Sequence, residues 1–145
     1  MTALIVDAGA MYAQADADEP RHEAVARLLR DERGPLVTSE LAVAEADYLI
    51  LDRLGIEVEL AFLDDLASGA FQVECLSRAE LEQARGIVDQ YRDLKLGLTD
   101  ASLVVIAARH RTNRIASFDE RAFRAVSPLT GGSFTILPAD EPQLA

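Results

Sequence analysis

The chain alternates short apolar runs with longer stretches in which apolar residues recur every three or four positions, the pattern of strands alternating with amphipathic helices. Ala3-Leu4-Ile5-Val6 is an unbroken apolar run closed by Asp7, and reads as a buried parallel strand over 3–7. Helices are expected at 9–16 and 20–32, the second opened by Pro20 and stopped near Gly34-Pro35. Leu36-Val37-Thr38 reads as a second strand. Ser39 then caps a long helix to about Arg53, Gly55 ends it, and helical spacing resumes over 57–68. A third strand over 71–76 sets Phe71, Val73 and Cys75 against polar neighbours. Ser77 caps a helix over 78–92 with Glu80 in the capping-box position, and Thr99 caps another to about Arg111. A strand over 114–118, a short helix over 120–125 and a last strand over 134–137 complete the order.

This order implies βαβ units, hence an α/β fold in which a mainly parallel sheet carries helices on both faces. The 145 residues suit a single domain around one core, with the residues after Pro138 peripheral to it. No apolar run approaches the ~20 residues of a membrane span. The opening Met1-Thr2-Ala3-Leu4-Ile5-Val6-Asp7 lacks the basic stretch of a signal peptide, so the expected compartment is the cytosol. Cys75 is the sole cysteine, which excludes an intrachain disulfide; it is expected to be a small core residue.

Charge narrows the function. With 14 basic and 25 acidic residues the net charge is −11, which argues against a dedicated duplex-DNA binder. Residues 100–125 run the other way: Arg109, Arg111, Arg114, Arg121 and Arg124 outnumber Asp100, Asp119 and Glu120. Arginine suits bidentate contacts to phosphate, although a solvated helix face with salt bridges reads the same stretch equally well.

Four acids stand where an unpaired carboxylate is costly. Asp7 and Asp119 each follow a strand, at the carboxyl ends where open α/β sheets place their ligands. Glu45 has Leu41, Ala42, Tyr48 and Leu49 one turn away, so helical spacing puts it on an apolar face. Asp100 shares a face with Leu103, Val104 and Ala107. Taken singly, three of them have a plainer explanation: a buried ion pair or tyrosine hydrogen bond for Glu45, a favourable charge at a helix start for Asp100, and a helix cap for Asp119. Jointly, they describe an acidic pocket suited to hard Mg²⁺ or Mn²⁺, which take oxygen ligands and activate water for phosphodiester hydrolysis. His22 and His110 are expected at the surface, without metal-ligand spacing.

Other phosphate chemistries fail by absence. There is no G-x-x-x-x-G-K-[ST], and the single lysine, Lys95, lies in a turn-like segment. No G-x-G-x-x-G follows the first strand. Gly9 stands where a haloacid-dehalogenase-type phosphatase needs a second Asp, and the paired acids and late lysine of a receiver domain are missing.

The segments Leu4-Ile5-Val6-Asp7-Ala8-Gly9-Ala10, Thr38-Ser39-Glu40-Leu41 with Glu45, Leu98-Thr99-Asp100-Ala101-Ser102 and Ile115-Ala116-Ser117-Phe118-Asp119 occur in order across nearly the whole chain. Together they resemble the PIN-domain ribonucleases of the VapC-like toxin type. The resemblance implies a three-layer αβα sandwich, a Mg²⁺ or Mn²⁺ site at Asp7, Glu45, Asp100 and Asp119, and cleavage of single-stranded or structured RNA. It further implies homodimerisation and neutralisation by a small VapB-like antitoxin, whose apolar part is expected to cover helices near Met11, Tyr12, Leu49 and Leu63. Ser39 and Ser117 match small hydroxyl positions of that family. Gly9 departs from it, since many relatives carry Ser, Thr or Asn there. The competing expectation is a catalytically silent domain of the same fold that captures a basic peptide in its acidic pocket.

Overall fold

The computed structural model describes residues 1–141. Five short strands, β1 (Leu4–Val6), β2 (Leu36–Ser39), β3 (Gln72–Glu74), β4 (Arg114–Ala116) and β5 (Thr135–Leu137), form one sheet in the order β3-β2-β1-β4-β5. Every pairing is parallel, with Ile5 opposite Val37 on one side and Ile115 on the other. β1 is therefore the central strand, and its three residues are fully buried, as an unbroken apolar run demands. The αβα sandwich expected from the sequence is the observed architecture.

The connections are helical: α1 (Ala8–Ala15), α2 (His22–Asp31), α3 (Glu40–Leu54), α4 (Ile56–Ala67), α5 (Arg78–Gln90), α6 (Leu98–Arg109) and α7 (Glu120–Ala125). Local chemistry sets their ends. Ser39 Oγ accepts the Ala42 N–H at 3.0 Å, and Ser77 with Glu80 forms a complete capping box on α5. Gly55 separates α3 from α4 at φ 91°, a left-handed value that a side chain would strain. α6 packs against β1 and β2 and is buried continuously from Ala101 to Ala107. Its first turn, Leu98 to Asp100, precedes the buried run and stays partly open.

Several local expectations fail. Pro20 lies ahead of α2, whose N-terminal flank is Arg21, and α6 starts at Leu98 after Gly97 with no side-chain cap, so Thr99 is not its cap. β3 is an edge strand on which Val73 and Cys75 are exposed. The opposite face of β3 is the occupied one: Glu74 accepts from Arg109 at 2.7 Å and lies 2.8 Å from His110 Nε2. Of the expected apolar face Phe71 is buried and Val73 and Cys75 are not, and of the polar face Gln72 is exposed while Glu74 is half-buried in its ion cluster. His22 and His110 are half-buried rather than on the surface, His22 Nδ1 lying 2.8 Å from the Ala13 carbonyl. Of the expected peripheral tail, Asp140 is tied to Arg124 and to the Ile136 N–H, and residues 142–145 lie outside the described ones.

Candidate active site

Parallel pairing of β1 with β4 sets Val6 opposite Ala116, so the acids following the two strands emerge side by side. Asp7 is buried and caps α1, its Oδ1 accepting the Ala8 N–H at 2.7 Å. Its Oδ2 accepts from Ser117 Oγ at 2.7 Å, and the same hydroxyl oxygen accepts the Asp119 N–H at 3.0 Å. One serine thus ties the two strand-end acids together. Asp119 also caps α7, accepting the Ala122 N–H at 3.2 Å. Its plainer role is real, and does not consume both carboxylate oxygens. The crevice lies at the carboxyl ends of β1 and β4, where the chain passes from one side of β1 to the other, the place open α/β sheets use for ligands.

Asp100 sits half-buried in the first turn of α6. Its pKa is pushed up to about 7, first by burial and then by the charges of Asp7, Asp119 and Glu45, with Arg121 opposing. Burial also raises the Asp7 pKa; the Ser117 and Ala8 hydrogen bonds counter it, while Glu45 and Asp119 add to it. All four expected carboxylates therefore share one electrostatic neighbourhood, although they are far apart in sequence.

Glu45 does not lie on a buried apolar face. Glu45 is exposed, and Tyr48, which was to share its apolar face, is 67% exposed. α3 buries the narrower stripe Ala42, Ala46 and Ile50, and Glu45 flanks it at the rim of the crevice. No uncompensated buried charge arises there; proximity to Asp7 and Asp100 gives Glu45 its place. Ser102 was given no role in the sequence reading. It is fully buried, its hydroxyl donates to Ser39 Oγ at 2.9 Å, and it lies 2.6 Å from the Thr99 carbonyl. This joins the N-terminal turns of α3 and α6, the helices that carry Glu45 and Asp100. A serine inside the run from Ala101 to Ala107 was its one signal in the sequence.

The arginine cluster of 100–125 largely dissolves. Arg109 is held by Glu74 and Glu80, Arg114 by Glu32, and Arg124 by Glu120 and Asp140. Arg121 donates to the Leu94 carbonyl at 3.1 Å and is the cation felt by Asp100.

Among the described residues, no ion pair engages Asp7, Glu45, Asp100 or Asp119. Neither do three carboxylate, imidazole or thiol groups already converge on one ion-sized point among them. The four carboxylates are instead linked by the charge that Asp7, Glu45 and Asp119 exert on Asp100, and Glu45 and Asp119 on Asp7, at the carboxyl edge of the sheet. Their donor set is entirely oxygen, and a divalent cation would offset the burial and neighbouring charge that raise the Asp7 and Asp100 pKa, so the residues present fit a hard metal ion.

Fold and sequence together define the class. The sequence pattern of the PIN domain family matches residues 4–128, and the chain belongs to that family. It is 44% identical over 135 residues to Ribonuclease VapC26 of Mycobacterium tuberculosis, covering 93% of this chain and 100% of that relative. Among solved structures, the Sarcin-Ricin loop cleaving toxin VapC20 of Mycobacterium tuberculosis superposes with a TM-score of 0.74 at 22% identity, over 80% of this chain and 89% of that one. A toxin–antitoxin complex from Klebsiella pneumoniae gives 0.66 at 15% identity, over 85% and 92%. These two likenesses concern the fold.

Proposed function

We propose that this chain is a metal-dependent endoribonuclease toxin that acts as one PIN-like domain and is neutralised by a cognate antitoxin. The observation that carries the reading is the gathering of Asp7, Glu45, Asp100 and Asp119 at the carboxyl edge of the sheet, without a balancing ion pair. The 44% identity to a ribonuclease along almost the whole chain supports the substrate class. Asp7, Asp100, Asp119 and Glu45 would hold Mg²⁺ or Mn²⁺, which when bound supplies Lewis acidity and lowers the pKa of a water molecule. Asp7 offers a carboxylate oriented by Ser117 and the Ala8 N–H. Glu45, at the solvent rim, is the acid best able to accept a proton and release it to bulk water. Incubation of purified, antitoxin-free protein with total RNA in Mg²⁺ should give discrete fragments. Intact RNA, with a basic peptide bound in the crevice instead, would favour the silent binding domain.

Ser117 is a positioning residue in this scheme. Ser117→Ala removes one hydrogen bond from Asp7 and one from the Asp119 backbone, and should lower kcat about 10- to 100-fold with the fold retained. Wild-type turnover in that variant, measured on the same RNA, would show that the two strand ends hold their geometry unaided.

The antitoxin reading follows from charge and exposed apolar surface. An acidic crevice attracts an Arg or Lys from a protein partner as readily as it attracts metal. Met11 and Tyr12, which the sequence offered as contact residues, are buried and cannot serve; Leu49 is half-buried. The accessible apolar residues are Tyr48, Leu51, Ile56, Leu60 and Leu63 on α3 and α4. A complex leaving these open to solvent would contradict the assignment. Homodimerisation belongs to the same reading, and light scattering at micromolar concentration should give twice the chain mass. Among the described residues no helix is long and apolar enough to cross a membrane, and a toxin acting on cellular RNA is placed in the cytoplasm by its substrate.

A further inference from the structure

The guanidinium carbon of Arg21 lies 3.8 Å from the centroid of the Phe118 ring. Phe118 sits between Ser117, which orients Asp7, and Asp119, and its ring edge is what a Cβ on Gly9 would meet at 3.7 Å. The ring thus packs next to Gly9, two residues after Asp7, and itself stands one residue before Asp119. Arg21 is fixed from a second side: its Nε donates to Glu19 Oε1 at 2.8 Å. Its two terminal amino groups have no partner among the described residues, and its side chain is 52% exposed. By contrast, Arg109, Arg114 and Arg124 commit terminal nitrogens to carboxylates, and Arg121 commits one to a carbonyl.

We propose that Arg21 positions the RNA by holding a backbone phosphate beside the acidic crevice, an inference that rests on the ribonuclease reading above. The crevice concentrates negative charge, so a polyanion approaching it needs a cation at the mouth. Arg21 is a planar, permanently charged fork whose stem is already oriented by a stack and an ion pair. It therefore loses less side-chain entropy on gripping a phosphate than a free arginine or lysine would. Its open amino groups match the bidentate geometry of phosphate oxygens.

The test is binding of a fluorescein-labelled, mixed-sequence single-stranded RNA 20-mer by anisotropy in Ca²⁺ across a series of NaCl concentrations, with wild-type cleavage in Mg²⁺ run alongside. Arg21→Gln should weaken binding about tenfold at low salt, the size of one charge-assisted contact. The slope of log affinity against log salt should become shallower by about 0.7, the value for one phosphate on a single strand. Arg21→Lys keeps the charge and should keep the wild-type slope while binding about threefold more weakly, since lysine lacks the stacked fork. Wild-type affinity and slope in Arg21→Gln would overturn the proposal. So would weaker binding with an unchanged slope, which marks a structural defect and not a lost phosphate contact. A wild-type protein that neither binds nor cuts RNA would overturn the ribonuclease reading itself, and this inference with it.

Discussion

Asp7→Asn should reduce RNA cleavage on the order of a thousandfold while the protein stays folded, and Asp100→Asn and Asp119→Asn should follow closely. The expectation is strongest for Asp7. Its two oxygens are oriented by Ser117 and by the Ala8 N–H, and it follows β1, the central and fully buried strand of the sheet. An amide in its place keeps size and one acceptor oxygen, but removes the charge that a divalent ion requires. Asp119→Asn leaves an acceptor for the Ala122 N–H, so the cap on α7 survives and a loss of activity reports chemistry rather than unfolding. Glu45→Gln is expected to cost less than the three aspartates, because Glu45 stands exposed at the rim. Initial rates on one RNA, with circular dichroism of each variant as the control for folding, check the series. Full cleavage by any one variant would remove that residue from the site.

The second large effect is on stability. The Asp100 carboxyl titrates at about 7 in the folded protein against an ordinary value of 3.8, because burial and the charges of Asp7, Asp119 and Glu45 oppose its ionisation. The folded state therefore holds this proton more tightly than the unfolded chain does. Below about pH 4 both states are protonated and the site costs nothing. The penalty grows as pH rises through the interval from about 4 to 7, and is complete above it. Its size is on the order of 2 kcal/mol once solvent screening at a half-buried position is allowed for. Asp100→Asn should accordingly raise the melting temperature of the metal-free protein at pH 8 by about 4–8 °C, with the gain shrinking towards pH 4. Metal at 100 times its dissociation constant should stabilise the wild type by about 2.7 kcal/mol and the variant much less. Calorimetry in EDTA showing Asp100→Asn melting below the wild type would make Asp100 chiefly a helix-start residue, whose charge favours the dipole by ~0.3–1 kcal/mol.

What the sequence disclosed, and what it hid, divides along one physical line. Periodicity, caps and terminators are local, so the five strands, the capping box at Ser77 and Glu80, and the stop at Gly55 were all legible. The strand-end acids were legible too, because the carboxyl ends of parallel strands are a position in the topology as well as in the chain. Facing direction was not legible where long-range partners decide it. Val73 and Cys75 are exposed although Phe71 on the same alternation is buried, and Glu74 on the other face meets Arg109 and His110, more than 30 residues away. The inward reading of Glu45 fails because helical spacing cannot tell how wide a stripe α3 buries, and neighbouring elements fully cover Ala42, Ala46 and Ile50 but not Glu45. Met11 and Tyr12 disappear beneath packed helices for the same reason. The arginines of 100–125 looked like a phosphate-binding surface until the folded chain brought Glu32, Glu74, Glu80 and Asp140 to them. The exposed arginine beside the crevice, Arg21, lay in a segment whose charge pattern gave it no prominence.

Cleavage measured against added Mn²⁺, after the purified protein has been stripped with EDTA, tests the central claim most directly. The account expects no cutting of RNA in EDTA, activity that rises along the same isotherm as Mn²⁺ binding, and neither binding nor cutting in Asp7→Asn. Cleavage that persists undiminished in EDTA, or that is unchanged by Asp7→Asn, would contradict the assignment of the four carboxylates to a metal centre.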